Sequence, residues 1–246
     1  MKIVALIPAR YGSTRFPAKM LAVLKGKTII RRTYEATVAT GLFDDVRVVT
    51  DDERIYNEVV SNCGKAMMSK KEHETGSDRI AEAAAQMNAD IIINVQGDEP
   101  FTQRQSLKDL INVFKNDTAG SIDLASLAQE LYDEEQVKNP NCVKVVLDKD
   151  GYAMYFSRSP IPYHRNNEIK GVYYQHIGIY AFRRKTLLEF ARTPMGIAEN
   201  MEKIEAIRYL ENGRKMKMVL TDTVGIRIDT PEDFKNAERY LEEIGE

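Results

Sequence analysis

The stretch IVALIPARYGSTRFPAK, residues 3–19, starts as an apolar run and ends in a loop that carries Arg10, Arg15 and Lys19 around Gly12, Ser13 and Thr14. A short apolar run stopped by a proline predicts a strand buried on both faces, and such strands belong to parallel sheets. Three further runs, Val46 to Val49, Ala66 to Met68 and Ile91 to Val95, read the same way. Between the runs, apolar residues recur at helical spacing: Ile30, Tyr34 and Val38 ending at Gly41, then Ile55, Val59 and Cys63 ending at Gly64, then Ile80, Ala83, Ala84 and Met87. Strands alternating with amphipathic helices predict an α/β fold around a mostly parallel sheet. Leu107, Leu110, Ile111 and Phe114 add a fourth stripe, with Thr102 and Gln105 spaced as a capping box at its start.

The pattern changes at about residue 120. CVKVVLDKDGYAMYFSR reads as two strands about an Asp150-Gly151 turn and HIGIYAF as another, so an antiparallel lobe is expected at about 120–190. Met201, Ile204 and Ile207 then suggest one helix ending at Gly213, followed by a strand near Met216 to Leu220. A last helix opens at Thr230, which can cap it, with Pro231 in the first turn and Asp233 facing the positive end. Phe234, Ala237, Leu241 and Ile244 are the expected docking face of that helix.

The chain has 246 residues, 43% of them hydrophobic, enough for a sizeable core, and 1–246 is expected to form a single domain. Its 35 basic and 37 acidic side chains give a formal net charge of -2, which excludes a general nucleic-acid binder and requires any anionic ligand to be held by a local cluster. Cys63 and Cys142 are too few for a disulfide framework and form no C-x-x-C pair. The opening apolar run is shorter than the roughly 7 to 15 residues of a signal-peptide core. No stretch approaches the ~18 apolar residues of a membrane span. A cytoplasmic protein with no membrane or nucleic-acid partner is expected.

A loop after a parallel strand lies at the carboxyl edge of the sheet, where α/β proteins bind ligands. In PARYGSTRFPAK, glycine and small hydroxylic residues let backbone N–H groups approach phosphate oxygens, and three cations offset the charge of a triphosphate. From charge alone, an exposed basic loop is the competing reading. Gly26-Lys27-Thr28 resembles the end of a Walker A loop, but Leu21 stands where that motif needs glycine, and no strand is followed by G-x-G-x-x-G. In NVQGDEP, residues 94–100, a strand ends at Asp98, placed to hold a hard ion such as Mg²⁺; in GIRIDTPED, Asp229 precedes the last helix. Together they offer two carboxylates to a metal at a phosphate, although each also reads as an ordinary turn or capping acid. Asp148-Lys149-Asp150 spells D-x-D, but Gly151 favours a hairpin turn.

In order and spacing, PARYGSTRFPAK, HETGSDR, NVQGDEP, NPNCVKVVLD, YFSRSPIP, HIGIYAF and RIDTPED resemble the 3-deoxy-manno-octulosonate (Kdo) cytidylyltransferases over nearly the whole chain. The resemblance implies a Rossmann-like nucleotidyltransferase fold with helices on both faces of the sheet, and a homodimer built partly through the antiparallel lobe. It also implies Mg²⁺-dependent transfer of CMP from CTP to Kdo for lipopolysaccharide biosynthesis. Carried over residue by residue, it assigns the triphosphate to Arg10, Ser13, Arg15 and Lys19. The base and ribose fall to Ala9, Thr75, Gly76, Arg79 and Gln96, and the metal to Asp98 and Asp229. The sugar acid falls to Arg158, His176, Tyr180 and Glu202, and the catalytic groups are Lys19, Arg10, Arg15 and Asp98.

The chain departs from that family twice. Pro17-Ala18-Lys19 replaces P-G-K, putting a Cβ where glycine tolerates any φ. Glu205-Ala206-Ile207-Arg208 replaces E-Q-L-R, losing an amide that could reach the sugar. The alternatives are a cytidylyltransferase for another sugar acid (8-amino-Kdo or a sialic acid) and a non-catalytic nucleotide-sugar binding module. His176 and Tyr180 also suit ordinary strand positions, and Arg158 a surface ion pair.

Overall fold

A computed structural model of the chain describes every residue except Thr14, Glu72, Glu74, Asn167, Lys170, Thr223, Val224 and Glu246, so Thr14 of the basic loop lies outside the described residues. Two compact units emerge, one from residues 1–104 with 225–246, the other from residues 105–224. Among the described residues no helix is long and apolar enough to cross a membrane.

The first unit begins with β1 (Ile3–Ala9), followed by a small antiparallel pair, β2 (Val23–Leu24) and β3 (Lys27–Thr28), and by α1 (Ile29–Ala39). Next come β4 (Asp45–Thr50), α2 (Glu53–Ser61), β5 (Ala66–Met68), α3 (Gly76–Ala85) and β6 (Ile91–Asn94). The strands pair in the order β6-β1-β4-β5, all parallel. β1 and β6 are buried along their whole length, as their unbroken apolar runs predict, whereas β5, at the edge, is half-buried to exposed.

Side-chain hydroxyls decide which stripe α1 buries. Ile29, Ile30, Thr33 and Thr37 face inward, while Val38, expected in the core with Tyr34, is exposed. Thr33 Oγ1 donates to the Ile29 and Gly97 carbonyls and Thr37 Oγ1 to the Thr33 carbonyl, so both polar groups are buried with partners. After α2, the positive φ falls on Cys63 (60°) rather than on Gly64, and the thiol is exposed, not part of the buried stripe.

The second unit comprises α4 (Arg104–Asn116), β7 (Leu124–Leu131), α5 (Glu134–Lys138), β8 (Lys144–Leu147), β9 (Ala153–Ser157) and β10 (Tyr173–Arg183). It ends with α6 (Arg184–Phe190), α7 (Ile197–Glu202), α8 (Ala206–Glu211) and β11 (Lys217–Leu220). Here β7, β10, β8 and β9 pair antiparallel as expected, and β11 adds to β7 in parallel. The expected capping box of α4 does not form: Thr102 Oγ1 donates to the Glu99 carbonyl and Gln105 bonds the Asp109 carboxylate. The single helix expected through Met201, Ile204 and Ile207 is broken by Lys203 at φ 53°, and Met201 is exposed. A buried pair reconnects the two pieces, because Arg208 Nε and Nη2 donate to Glu199 Oε2 and Oε1 at 2.7 and 2.8 Å.

From residue 225 the chain rejoins the first unit and forms α9 (Pro231–Glu243). Thr230 Oγ1 accepts from the Asp233 N–H and the Asp233 carboxylate accepts from the Thr230 N–H, a full capping box with Pro231 in the first turn. Ala237 and Leu241 pack with Leu24, Ile29 and Ile228, and Phe16, Phe101 and Phe234 close over them; Ile244, by contrast, is exposed.

One side chain organises the turn between α4 and β7. The Asp117 carboxylate accepts from the Ser121 N–H and hydroxyl, the Ile122 N–H and Arg183 Nη2, all at 2.7 to 3.0 Å. Burial pushes its pKa up, but these donors outweigh burial and hold it at about 2. A depressed carboxylate pKa contributes stability above its unfolded value, which is lost as pH falls through the folded value. Asp117→Asn should therefore lower unfolding free energy at pH 7 by about 1 to 3 kcal/mol. In urea titrations, the gap to the parent protein should narrow as pH drops from about 4 to about 2. A gap that stays constant over that range would contradict this role for the carboxylate.

Candidate functional site

The carboxyl end of β1 opens into the basic loop, and a cleft of about 220 Å³ forms there within the first unit. The loop is shaped by a short 3₁₀ turn, Lys19–Leu21, entered through Ala18 at φ 55°, ψ 23°. An alanine in the left-handed region costs roughly 1 to 2 kcal/mol relative to its ordinary conformation. The turn is held by Lys19 N–H to Phe16 O and Leu21 N–H to Ala18 O, and Met20 is buried beneath it. Lys19 leaves this turn toward the cleft.

Its ammonium meets two acids from remote parts of the sequence. Lys19 Nζ lies 2.7 Å from Asp98 Oδ2 and 2.9 Å from Asp229 Oδ1, with the lysine side chain only 8% exposed. Asp98 follows Gly97, which can pass here because it lacks a side chain: a Cβ would stand 2.8 Å from the Pro8 carbonyl oxygen and 3.2 Å from Met20 Sδ. Asp229 is positioned from both sides. The Ile228 N–H donates to the Asp98 carbonyl, and the Asp229 N–H donates to the Asp233 carboxylate that caps α9.

Two arginines reach the same acids from outside. Arg15 Nη2 is 3.3 Å from Asp229 Oδ2, and Arg227 Nε is 3.5 Å from Asp98 Oδ2 and 3.3 Å from Asp229 Oδ2. Burial pushes the Asp98 carboxyl up, but Arg227 and Lys19 pull it below the usual carboxylate range. Its neighbour Glu99 gains less from Arg227: burial, with the adjacent Asp98 and Asp229 charges, lifts it to about 7. Asp98 in turn raises the guanidinium pKa of Arg227, keeping it charged.

The opposite wall comes from the start of α3. Thr75 caps that helix by accepting the Asp78 N–H, and Gly76 begins it where a Cβ would stand 3.2 Å from the Pro8 ring, so the helix's positive end lines the cleft. Arg79 is buried, with Nη2 on Asp51 Oδ2 at 2.7 Å and Nη1 on Ser69 Oγ at 3.0 Å, which fixes its guanidinium. Ala9, Arg10, Ser13 and Gln96 complete the lining among the expected residues. All nine residues assigned to the nucleotide and both assigned to the metal thus border one cleft. Five arginine and lysine side chains line it against two carboxylates, an excess of positive charge suited to a polyanion.

Arg227 and His73 also line the cleft but were not singled out from the sequence. Arg227 stands two residues before Asp229 in GIRIDTPED, where a lone arginine reads as a solvated strand residue. His73 stands in HETGSDR and is held by Glu82 Oε2 at 2.8 Å.

The four residues assigned to the sugar acid lie in the second unit, in two linked pairs. Glu202 accepts from the Ser157 hydroxyl and the Arg158 N–H, and Arg158 Nε donates back to the Glu202 carbonyl, so Arg158 is anchored rather than a surface ion pair. His176 and Tyr180 are buried side by side with ring centroids 5.4 Å apart, across a bulge in β10, and His176 Nε2 bonds Ser126 Oγ. Beside them, the fully buried Lys144 donates to the Asn139, Cys142 and Arg158 carbonyls, tying the NPNC turn to the segment that carries Arg158.

Comparison with known proteins gives a consistent result. The cytidylyltransferase family profile matches residues 4–217. The 3-deoxy-manno-octulosonate cytidylyltransferase of Flavobacterium johnsoniae is 58% identical over 99% of this chain and 100% of its own length. Its counterpart in Christiangramia forsetii is 55% identical over 98% of this chain and 97% of its own. A solved structure of CMP:2-keto-3-deoxy-manno-octonic acid synthetase complexed with CTP superposes with a TM-score of 0.92 at 36% identity, covering 99% of this chain and all of that one.

The left-handed alanine generates a prediction of unusual sign. Ala18→Gly should relieve the strain but widen the unfolded ensemble, for a net gain of about 0.5 kcal/mol in urea unfolding. The loss of about 1 kcal/mol that glycine ordinarily brings would show that the backbone here is not strained.

Proposed function

Because this chain belongs to the 3-deoxy-manno-octulosonate cytidylyltransferases, we propose that it makes CMP-Kdo in the cell in a Mg²⁺-dependent reaction at the Lys19 cleft. It is a cytidylyltransferase that transfers CMP from CTP to Kdo and releases pyrophosphate. The observation that carries the site assignment is the single ammonium shared by Asp98 and Asp229 beside a basic phosphate loop.

That geometry also bears on the metal. Two carboxylate oxygens converge on one point already occupied by a cationic group, so the site accepts positive charge there. Among the described residues no cluster of three or more His, Cys, Asp or Glu could hold a metal ion, leaving a set of two carboxylates. Such a set suits Mg²⁺, which is usually held by one or two carboxylates with water and substrate phosphates filling the remaining positions. Bound by Asp98 and Asp229, Mg²⁺ supplies a Lewis acid that offsets phosphate charge and makes the attacking hydroxyl more acidic.

The protein's own groups do the rest by positioning. The 2-hydroxyl oxygen of Kdo forms a bond to the α-phosphorus as the bond to the β-phosphate oxygen breaks, with the hydroxyl proton passing to water. Lys19, Arg10 and Arg15 stabilise charge on the transferring and leaving phosphates. Ser13 and the N-terminus of α3, with Thr75 and Gly76, orient the phosphates and ribose, while Ala9, Gln96 and the Asp51-anchored Arg79 form the base pocket. Arg158, His176, Tyr180 and Glu202 bind the sugar acid, already positioned by the contacts that hold each of them.

The two units work as one nucleotidyltransferase domain in a cytoplasmic homodimer that feeds lipopolysaccharide biosynthesis. Ala206, buried at the start of α8, replaces an amide common in the family, so 8-amino-Kdo and a sialic acid belong in the acceptor panel.

Pyrophosphate release across four nucleoside triphosphates and these acceptors tests the reading, with CTP and Kdo expected to be the productive pair. Asp98→Asn should reduce kcat/KM by about a thousandfold or more without unfolding the chain. Near-normal turnover by this variant would remove Asp98 from the catalytic set, and release without added Mg²⁺ after chelation would remove the metal.

A further inference from the structure

Lys19, Arg15 and Arg227 surround only two carboxylates, Asp98 and Asp229: Lys19 is buried, whereas the two arginines are about half exposed, and of these only Arg227 reaches both acids. Lys19 makes two short hydrogen bonds with its side chain buried. The Arg227 side chain is 50% exposed, and its contacts are longer: Nε makes a hydrogen bond of 3.5 Å to Asp98 Oδ2 and lies 3.3 Å from Asp229 Oδ2, against 2.7 and 2.9 Å for Lys19. Its backbone, however, does not drift, because the next residue, Ile228, is buried in the core beneath α9 and bonded to the Asp98 carbonyl. Arg227 is thus a long cationic arm on a fixed pivot, resting across the two acids.

A small dication binds carboxylate oxygens at about 2.0 to 2.1 Å. A dication that takes Asp98 Oδ2 and Asp229 Oδ2 meets both the Lys19 ammonium and the Arg227 guanidinium there, and since like charges at that range repel, moving the exposed guanidinium away lowers the cost of its binding. Lys19 is buried on two short bonds and Arg15 reaches only Asp229, so Arg227 is the half-exposed cation that spans both acids and must leave both when a dication takes them. Its planar fork also fits phosphate oxygens in pairs, and phosphate is what the neighbouring loop is built to receive.

We propose that Arg227 is a displaceable counter-ion, which covers the Asp98 and Asp229 carboxylates in the nucleotide-free cleft and transfers to the phosphate chain of the nucleotide when a divalent cation takes those carboxylates. The proposal deepens the functional reading above and rests on it. Metal and nucleotide become energetically coupled: bare metal competes with Arg227, whereas metal arriving with a triphosphate gives the guanidinium a new partner. By linkage, the nucleotide gains from the metal by the same factor.

The test titrates Mn²⁺ alone into the nucleotide-free protein by isothermal calorimetry, comparing the parent with Arg227→Gln, and measures KM and kcat for CTP in parallel. Arg227→Gln should bind Mn²⁺ roughly fivefold to tenfold more tightly, while its KM for CTP rises by a similar factor and kcat falls less. Arg227→Lys, which keeps a cation, should hold Mn²⁺ affinity near that of the parent. Arg227→Ser, a smaller neutral residue, gives the same reading as Arg227→Gln independently should the latter fail to fold. Unchanged or weaker Mn²⁺ binding in the neutral variants overturns the counter-ion role. Pyrophosphate release by the parent with CTP and Kdo separates the two levels: if release occurs while Mn²⁺ affinity does not respond to Arg227, only this inference fails. If release is absent, the functional reading fails with it.

Discussion

One buried ammonium holds the site together. Among the described residues, Lys19 is the only cation that makes short hydrogen bonds to both Asp98 and Asp229; without it the two carboxylates would be held together only by the longer contacts of Arg15 and Arg227. Glu99 shows what that environment does to an acid with weaker support: beside the same residues, burial lifts it to about 7. With Arg227, the lysine thus lets two acids coexist, and it is also a cation that a phosphate substrate can share.

Much of the rest of the first unit places those three side chains. Lys19 needs the tight turn that Ala18 enters through the left-handed region. Asp98 needs Gly97, because any larger residue would press on Pro8 and Met20. Asp229 needs α9, whose capping acid Asp233 also takes the Asp229 N–H, and whose apolar face shares a core with Ile228 and Phe16. Phe16 belongs to the same loop as Lys19, and its ring meets Phe234 of α9 edge-on at 5.7 Å. One apolar cluster thus ties the loop that carries Lys19 to the helix that follows Asp229.

What the sequence disclosed, and what it hid, follows from the same physics. The buried strands β1, β4 and β6 were legible because parallel strands with both faces covered leave an unbroken apolar run, and α9 because its cap is local chemistry. Choices settled by tertiary partners were not legible. Thr33 and Thr37 outcompeted Tyr34 and Val38 for the inner face of α1 because backbone carbonyls, one of them from Gly97, were waiting for their hydroxyls. The helix through Met201 broke where a buried Glu199–Arg208 pair could join two shorter pieces, and Thr102 bonded the Glu99 carbonyl instead of capping α4. In the cleft, motif residues were readable because the basic loop and the two acids have type and spacing in common with a known family. Arg227 was not, since nothing local distinguishes it from a solvated arginine until the fold brings Asp98 alongside.

A double-mutant cycle on the ligand-free protein tests this account most directly, with unfolding free energies measured for the parent, Lys19→Met, Asp98→Asn and the pair. If the ammonium and the carboxylate stabilise each other as described, each single change strands a buried partner and the double change relieves it. The cycle should then give a coupling energy of about 1 to 3 kcal/mol. Losses that add to within about 0.5 kcal/mol would mean that the two groups act independently, contradicting the claim that this pair organises the site.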